Sequence, residues 1–253
     1  MDLTLIQYFF LFALVAFAGF VDSIAGGGGL ITVPTYMALG VPAEFILGTN
    51  KCVSTTGGTL SIFRYIKNGV VDFKLMIYGI GTGFLGSLIG ARLSTVLDND
   101  KMVYLLIIVV PIIITLNYFK SKIVADRKEI PTNSLILRTL LIGLVIGCYD
   151  GFFGPGTGTF LIIAMVFFLN MSMVEASPNA RVINFTSNVS AFLFFLFKGM
   201  ILWKVAAIAI LASLTGNHLG SGVVLKGNHR LVQYVFNFVL VLLLLKSLYG
   251  LVF

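Results

Sequence analysis

Four ionisable side chains stand inside apolar stretches of this sequence: Asp22, Lys51, Asp150 and Arg181. An ionisable group at such depth is costly to hold in hydrocarbon, and is by default a sign of function. Each carboxylate leads into a glycine-rich break. Asp22 precedes Gly26, Gly27, Gly28 and Gly29, and Asp150 precedes Gly154, Pro155, Gly156, Thr157 and Gly158. Glycine costs about 1 kcal/mol per residue in a helix interior. A break also leaves backbone groups unpaired, which lipid does not tolerate unless protein or a water-filled cavity covers them. The N–H groups that open the next helix form a natural anion site. Small residues also serve close helix packing, but the coincidence of both breaks with a carboxylate favours function. For Asp22 and Asp150 two roles stand open: relaying a coupling proton, or anchoring the unwound loop by accepting backbone N–H bonds. Neither break is a nucleotide-binding loop, because no Lys-Ser/Thr follows.

The cations form the second pair. Asn50 and Lys51 are followed by Ser54, Thr55 and Gly58, at i+3, i+4 and i+7 from Lys51. Arg181 is followed by Asn184 and Asn188 at i+3 and i+7, with Thr186 and Ser187 nearby. Each is a polar stripe on an apolar cylinder, and it should face an interior cavity rather than lipid. Two cations, two helix starts and several hydroxyl or amide groups together suit a small oxyanion. The competing reading is that both cations snorkel to a headgroup layer. His218 reads as a packing or hydrogen-bonding residue and His229 as a solvated one. Gly79, Gly83, Gly86 and Gly90 read as tight helix packing, and Trp203 as an interfacial anchor. With no nucleophile–base arrangement and no metal-ligand cluster, neither an enzyme, a metal nor a cofactor is expected.

The elements that must hold these residues are set by composition. Of 253 residues, 58% are hydrophobic and 11% charged, where a soluble domain carries about 25% charged. A soluble core could not hide that much apolar surface; a lipid bilayer removes the difficulty. Lys+Arg exceed Asp+Glu, giving +7, but the basic residues flank apolar runs. Lipid headgroups and the positive-inside rule account for them, and nucleic acid is not needed as a partner. Cys52 and Cys148 fit no ligand spacing and read as free, buried thiols. A crossing needs about 20 apolar residues, which predicts helices over 3–21, 46–66, 73–96, 101–119, 135–150, 178–197, 203–225 and 230–252. Shorter apolar stretches at 29–41 and 157–170 follow the two breaks directly. The start, Met1-Asp2, lacks a positive n-region, so the first run is read as a retained span rather than a signal peptide.

Lys120, Lys122, Arg127, Lys128 and Arg138 make the central loop cytoplasmic. Threading from there puts Arg64, Lys67, Lys74, Lys226 and Arg230 on the same side. Arg92, Lys101, Lys198, Lys204 and Lys246 fall opposite. The halves resemble each other: Asp22-Ser-Ile-Ala-Gly-Gly-Gly-Gly29 matches Asp150-Gly-Phe-Phe-Gly-Pro-Gly-Thr157 at an offset of 128. Beyond it the offset is 130, pairing Lys51 with Arg181, Gly69 with Gly199, Gly86 with Gly216 and Gly90 with Gly220. This predicts an all-α polytopic membrane protein of two inverted repeats, each of about five helical elements. They are a repeat over 1–119, a basic linker over 120–134 and a second repeat over 135–253. Inverted repeats with interrupted helices point to a secondary transporter, with a channel as the alternative. Protons or Na+ are the candidate coupling ions, and a homo-oligomer stays open.

Asp22-Ser-Ile-Ala-Gly-Gly-Gly-Gly-Leu30, Gly48-Thr-Asn-Lys51, Asp150-Gly-Phe-Phe-Gly-Pro-Gly-Thr-Gly158 and Asn184-Phe-Thr-Ser-Asn188 resemble the TauE/SafE sulfite-exporter-like permeases, also called the toluene-sulfonate uptake permease family. The likeness covers nearly the whole chain and is nearest to bacterial inner-membrane members of unassigned substrate. It implies transport of sulfite, a sulfonate or another organosulfur anion without ATP, with the family's glycine motifs falling on Gly26 to Gly29 and Gly154 to Gly158. The second motif departs by carrying Pro155 and Thr157, so the two half-sites are not equivalent.

Overall fold

The computed structural model describes residues 3–120, 130–226 and 234. Their regular structure is all helical: α1 (Leu5–Ala25), α2 (Gly29–Ala38), α3 (Ala43–Lys67), α4 (Phe73–Leu93), α5 (Asn99–Lys120), α6 (Thr132–Phe152), α7 (Thr157–Phe168), α8 (Met173–Phe197) and α9 (Trp203–Leu225). A 3-10 turn, Ser94–Val96, extends α4. Apart from residue 234, the expected helix at 230–252 lies outside the described residues, as do Lys122, Arg127, Lys128, His229, Arg230 and Lys246.

Local chemistry sets the boundaries. Thr4 and Gln7 cap α1 reciprocally, with Gln7 N donating to Thr4 Oγ1 at 3.3 Å and Thr4 N to Gln7 Oε1 at 2.9 Å. The helix ends where Gly26 turns to φ +70° and its N–H closes on Asp22 O. Asp22 therefore sits in the last turn of α1, and Asp150 in the last turn of α6. α8 starts at Met173, five residues before the expected 178, because Ser172 and Glu175 form a second capping box that starts the helix ahead of Pro178.

Five helices are long and apolar enough to cross a membrane among the described residues: Leu5–Ile24, Phe73–Val96, Thr132–Phe152, Met173–Phe197 and Trp203–Leu225. α3 has the length, 25 residues, but its middle is polar and buried by its neighbours. Apolar side chains cover much of the outside, and the interior combines apolar clusters with buried charge and amides. Leu5, Phe9, Leu85, Val145, Phe197 and Leu211 are exposed, while Lys51, Asp150, Arg181, Asn184, Asn188 and Asn217 are buried. Lipid is the solvent that favours this distribution.

Packing crosses between the halves of the sequence. α4 lies along α6, α1 lies along α9, and α3 and α4 both pack on α8. Glycines set the approach. A Cβ on Gly86 would collide with Leu144 O, and one on Gly216 with Ala16 O. Gly69 and Gly199, at the α3–α4 and α8–α9 turns, take φ +66° and +69°. Gly86→Leu and Gly216→Leu should each lower stability by about 1–3 kcal/mol through overpacking. Thermal unfolding in detergent measures this, with Gly81→Leu as control because a Cβ there meets nothing within 4 Å.

Candidate functional site

On the polar stripe of α3, Lys51 and Gly58 are buried and Ser54 and Thr55 half-buried, and the cation is paired. Lys51 Nζ lies 2.7 Å from Asp150 Oδ1, with both side chains 2% exposed. The matching pair joins Arg181 of α8 to Asp22 of α1. Each pair joins a helix of the first half to one of the second. In lipid the cost of burying an ion is offset only by a close opposite charge and by hydrogen bonds to the remaining donors and acceptors. The Arg181–Asp22 pair meets both parts of that condition, whereas in the Lys51–Asp150 pair the added hydrogen bond falls on the carboxylate. Arg181 Nε donates to Ser61 Oγ at 3.2 Å, and another guanidinium nitrogen donates to Asn217 Oδ1 at 2.9 Å. Gly28 N donates to Asp22 Oδ1 at 3.3 Å, and Ser187 Oγ to Asp150 Oδ2 at 2.6 Å.

The two breaks meet backbone to backbone. A Cβ built on Gly26 or Gly158 would collide with the other's Cα, and one on Gly29 would come within 3.1 Å of Pro155 Cα. Gly154, at φ +94°, leaves room for Lys51, whose Nζ a Cβ would approach to 2.8 Å. Gly156 takes φ +86°, and Thr157 turns its hydroxyl onto Gly154 O at 2.7 Å. Several amides that open the short helices already have partners: Gly28 N in Asp22, Leu30 N in Gly27 O, and Thr157 N in Gly154 O. Beside the contact, a void of about 10 Å³ is lined by Asp22, Gly26, Gly158, Ser177, Arg181 and Asn184. That is room for one water. A sulfonate does not fit in this void.

The remaining expected residues fall around this centre. Asn50, buried, accepts the Thr32 hydroxyl at 2.5 Å. Asn188 Nδ2 donates to Asn184 Oδ1 at 2.8 Å. Ser54 is half-buried and makes no side-chain hydrogen bond among the described residues. Gly27 is buried within the first break. The Thr55 hydroxyl, one turn beyond Lys51, is buried without a partner.

Sequence reasoning missed Ser61, Asn217 and the importance of Ser187. Extending the stripe of Lys51, Ser54 and Gly58 by one turn would have reached Ser61. Asn217 stood beside the more conspicuous His218, whose side chain is exposed and whose carbonyl accepts from Arg64. Both cysteines are free thiols, Cys52 buried and Cys148 partly so.

Replacing Lys51 by Met strands Asp150, and loss of one partner from a buried pair costs about 3–5 kcal/mol. The Lys51→Met, Asp150→Leu double variant should unfold closer to the wild type than either single variant. Additive losses in denaturation midpoints would show that the two side chains do not depend on each other.

A family model, sulfite exporter TauE/SafE, matches residues 11–247. The "probable membrane transporter protein" of Haemophilus influenzae is 36% identical over 237 residues, covering 92% of this chain and 91% of that protein. A "probable membrane transporter protein ORF9" from a Sinorhizobium species is 34% identical, over 88% of this chain and 85% of the relative. The "probable membrane transporter protein YfcA" of Escherichia coli is 31% identical, over 94% and 88%. No solved structure matches the chain. With its apolar exterior, buried charge pairs and long apolar helices, the chain belongs to the TauE/SafE sulfite exporter family of membrane proteins.

Proposed function

We propose that this protein is a secondary transporter of a small anion of the sulfite, sulfonate or wider organosulfur class, acting in a bacterial inner membrane. The observation that carries the reading is the pair of crossed ion pairs, Lys51–Asp150 and Arg181–Asp22, buried beside two touching glycine breaks. A structural clamp needs charge pairs only to be held. Here the pairs lie where the chain is least able to stay helical, and where the 10 Å³ void opens onto Asp22, Arg181 and Asn184. Parting the breaks would expose both cations together with Asn184 and Asn188.

Alternating access follows from two repeats in opposite orientation, residues 1–119 and 135–253, joined by a basic cytoplasmic linker. Matched contacts support that division. Gly86 sits against Leu144 O and Cys148 N, while Gly216, 130 positions later, sits against Ala16 O and Phe20 N. Ala16 and Phe20 are the counterparts of Leu144 and Cys148 at the offset of 128. Because each ion pair joins the two repeats, a rocking motion of one against the other strains both pairs together. An anion arriving between them supplies replacement contacts for the cations. The relatives, each named a "probable membrane transporter protein", point the same way.

Counterflow in proteoliposomes tests the reading, with sulfite, sulfate, thiosulfate, taurine and sulfoacetate offered in turn. Saturating flux, accelerated by solute on the far side, is the expected result; ion conductance at single-channel rates would make the protein a channel instead. Arg181→Lys keeps the charge but loses the guanidinium's spread of donors. Its half-saturation concentration should rise about ten- to hundredfold, the equivalent of one charged hydrogen bond of about 1.5–3 kcal/mol.

A further inference from the structure

The two crossed pairs differ in one respect that decides which of them can release its cation. We propose that Asp150, and not Asp22, binds the coupling proton, and that protonation frees the Lys51 ammonium for the anion, with the Ser187 hydroxyl as the positioning group. The proposal rests on the transport reading above, and names the ion that drives it.

A carboxyl that takes a proton becomes a donor and needs an acceptor. Asp150 has one in place. Ser187 Oγ lies 2.6 Å from Asp150 Oδ2 and 2.9 Å from Asn184 O. A hydroxyl owns one proton and two lone pairs, so these contacts are alternatives for its donation. With Asp150 ionised, Ser187 donates to the carboxylate. With Asp150 protonated, Ser187 turns its proton to Asn184 O and accepts from the carboxyl, and no heavy atom moves. Asn188 Nδ2, which also reaches that carbonyl at 2.7 Å, has the Asn184 side-chain oxygen at 2.8 Å instead. Among the described residues Asp22 has no such arrangement. Its partners are the Arg181 guanidinium and Gly28 N, and both only donate. A proton on Asp22 would point at donors.

The cations are matched to these roles. Lys51 has a single polar side-chain partner among the described residues, Asp150, and carries its charge on a flexible stem. Arg181 is fixed by Asp22, Ser61 and Asn217 together. Neutralising Asp150 therefore releases a whole ammonium, whereas neutralising Asp22 leaves the guanidinium tied to α3 and α9. The charges balance. The resting pair plus one proton and one monoanion becomes neutral Asp150 plus an ammonium–anion pair, and net charge stays at zero. Release on the far side returns the proton to water and re-forms the pair. Sodium is a poorer fit, because the cation position beside Asp150 is already filled by Lys51 Nζ at 2.7 Å.

Other charges do not compete for the proton at this place. α3 presents Lys51, and the Asp22 carboxylate of α1 lies within electrostatic reach of it. α8 presents Arg181, which is engaged by Asp22, and carries Glu175 at its exposed start. α4 places Ser87 near, donating to Ser187 O at 2.5 Å, and keeps Lys74 and Arg92 at its exposed ends. α7 carries no titratable side chain. On α6 itself, Tyr149 donates to Pro155 O at 2.5 Å, and Cys148 is partly buried on the α4 side.

The test is a pH titration of the full chain in liposomes by difference infrared spectroscopy, which needs no solute. One buried protonated-carboxyl C=O band should grow as pH falls, be absent from Asp150→Asn, and persist in Asp22→Asn. Ser187→Ala should shift its midpoint by about one pH unit, and Ser187→Thr should restore it. If Asp150→Asn does not fold, the two Ser187 variants decide. A band that survives Asp150→Asn, disappears in Asp22→Asn, or ignores Ser187→Ala overturns the proposal. Methanesulfonate, whose own charge is constant over this range, reports the coupling. An acid-outside gradient should concentrate it up to about tenfold per pH unit, the effect should vanish in Asp150→Asn, and accumulation driven by a sodium gradient instead would overturn proton coupling. A chain that exchanges none of the screened anions sinks the transport reading, while the infrared band still decides whether Asp150 holds the proton.

Discussion

Charge buried in a lipid-facing bundle has to be neutralised on the spot, and much of this architecture serves that need. Lys51, Asp150, Arg181 and Asp22 are all ionisable and all deep, and none could remain there alone. Pairing them requires α3 to reach α6 and α8 to reach α1. The helices that bring this about are held close by glycine, most tightly where α4 meets α6 and α1 meets α9. Serine, asparagine and backbone amides then satisfy the remaining donors and acceptors. Tyr65 donates to Ser23 O and Ser177 to Ile24 O, which ties the end of α1 to α3 and α8. The apolar exterior is the other face of the same arrangement, since polarity gathered inside leaves hydrocarbon to face lipid.

Much of this could be read in the sequence, and the limits are instructive. Apolar runs bounded by proline, glycine and charge placed the helices to within a few residues. Where α8 began early, the cause was a capping box whose partners, Ser172 and Glu175, are polar and fell outside the apolar pattern. The four ionisable residues and their glycine breaks were legible because they violate what a membrane helix otherwise permits. Their pairing was not. Helical periodicity tells which face Lys51 occupies, but not which of the other helices that face meets. Asp150 lies 99 positions away and is brought in by the contact of backbone with backbone at Gly26 and Gly158. Asn217 was overlooked for a related reason: a neutral amide in a small-residue helix looks like packing until its partner is known.

The pairing changes how the proposed anion site should be pictured. Two cations and two helix starts, read in one dimension, describe a preformed positive cradle. In three dimensions each cation already has a carboxylate, and several of the amides are already bonded within the chain. The centre is electrically balanced, and attraction for an anion has to be generated by displacing a carboxylate or cancelling its charge. A site of that kind discriminates by exchange of partners rather than by stored positive potential.

The interlocking of the halves also bears on how the molecule is made. α1 packs principally along α9, which ends at Leu225, so a helix made early waits in the bilayer for the last of those described. Contacts so distant in sequence impose a large loop-closure entropy before they give any return. Until α9 arrives, the Ala16 and Phe20 ridge of α1 has only lipid and early neighbours to face, and until α8 arrives the Asp22 carboxylate lacks Arg181. Assembly is therefore completed late, and the nascent chain passes through stages in which a costly group is present ahead of its partner, Lys51 before Asp150 and Asp22 before Arg181.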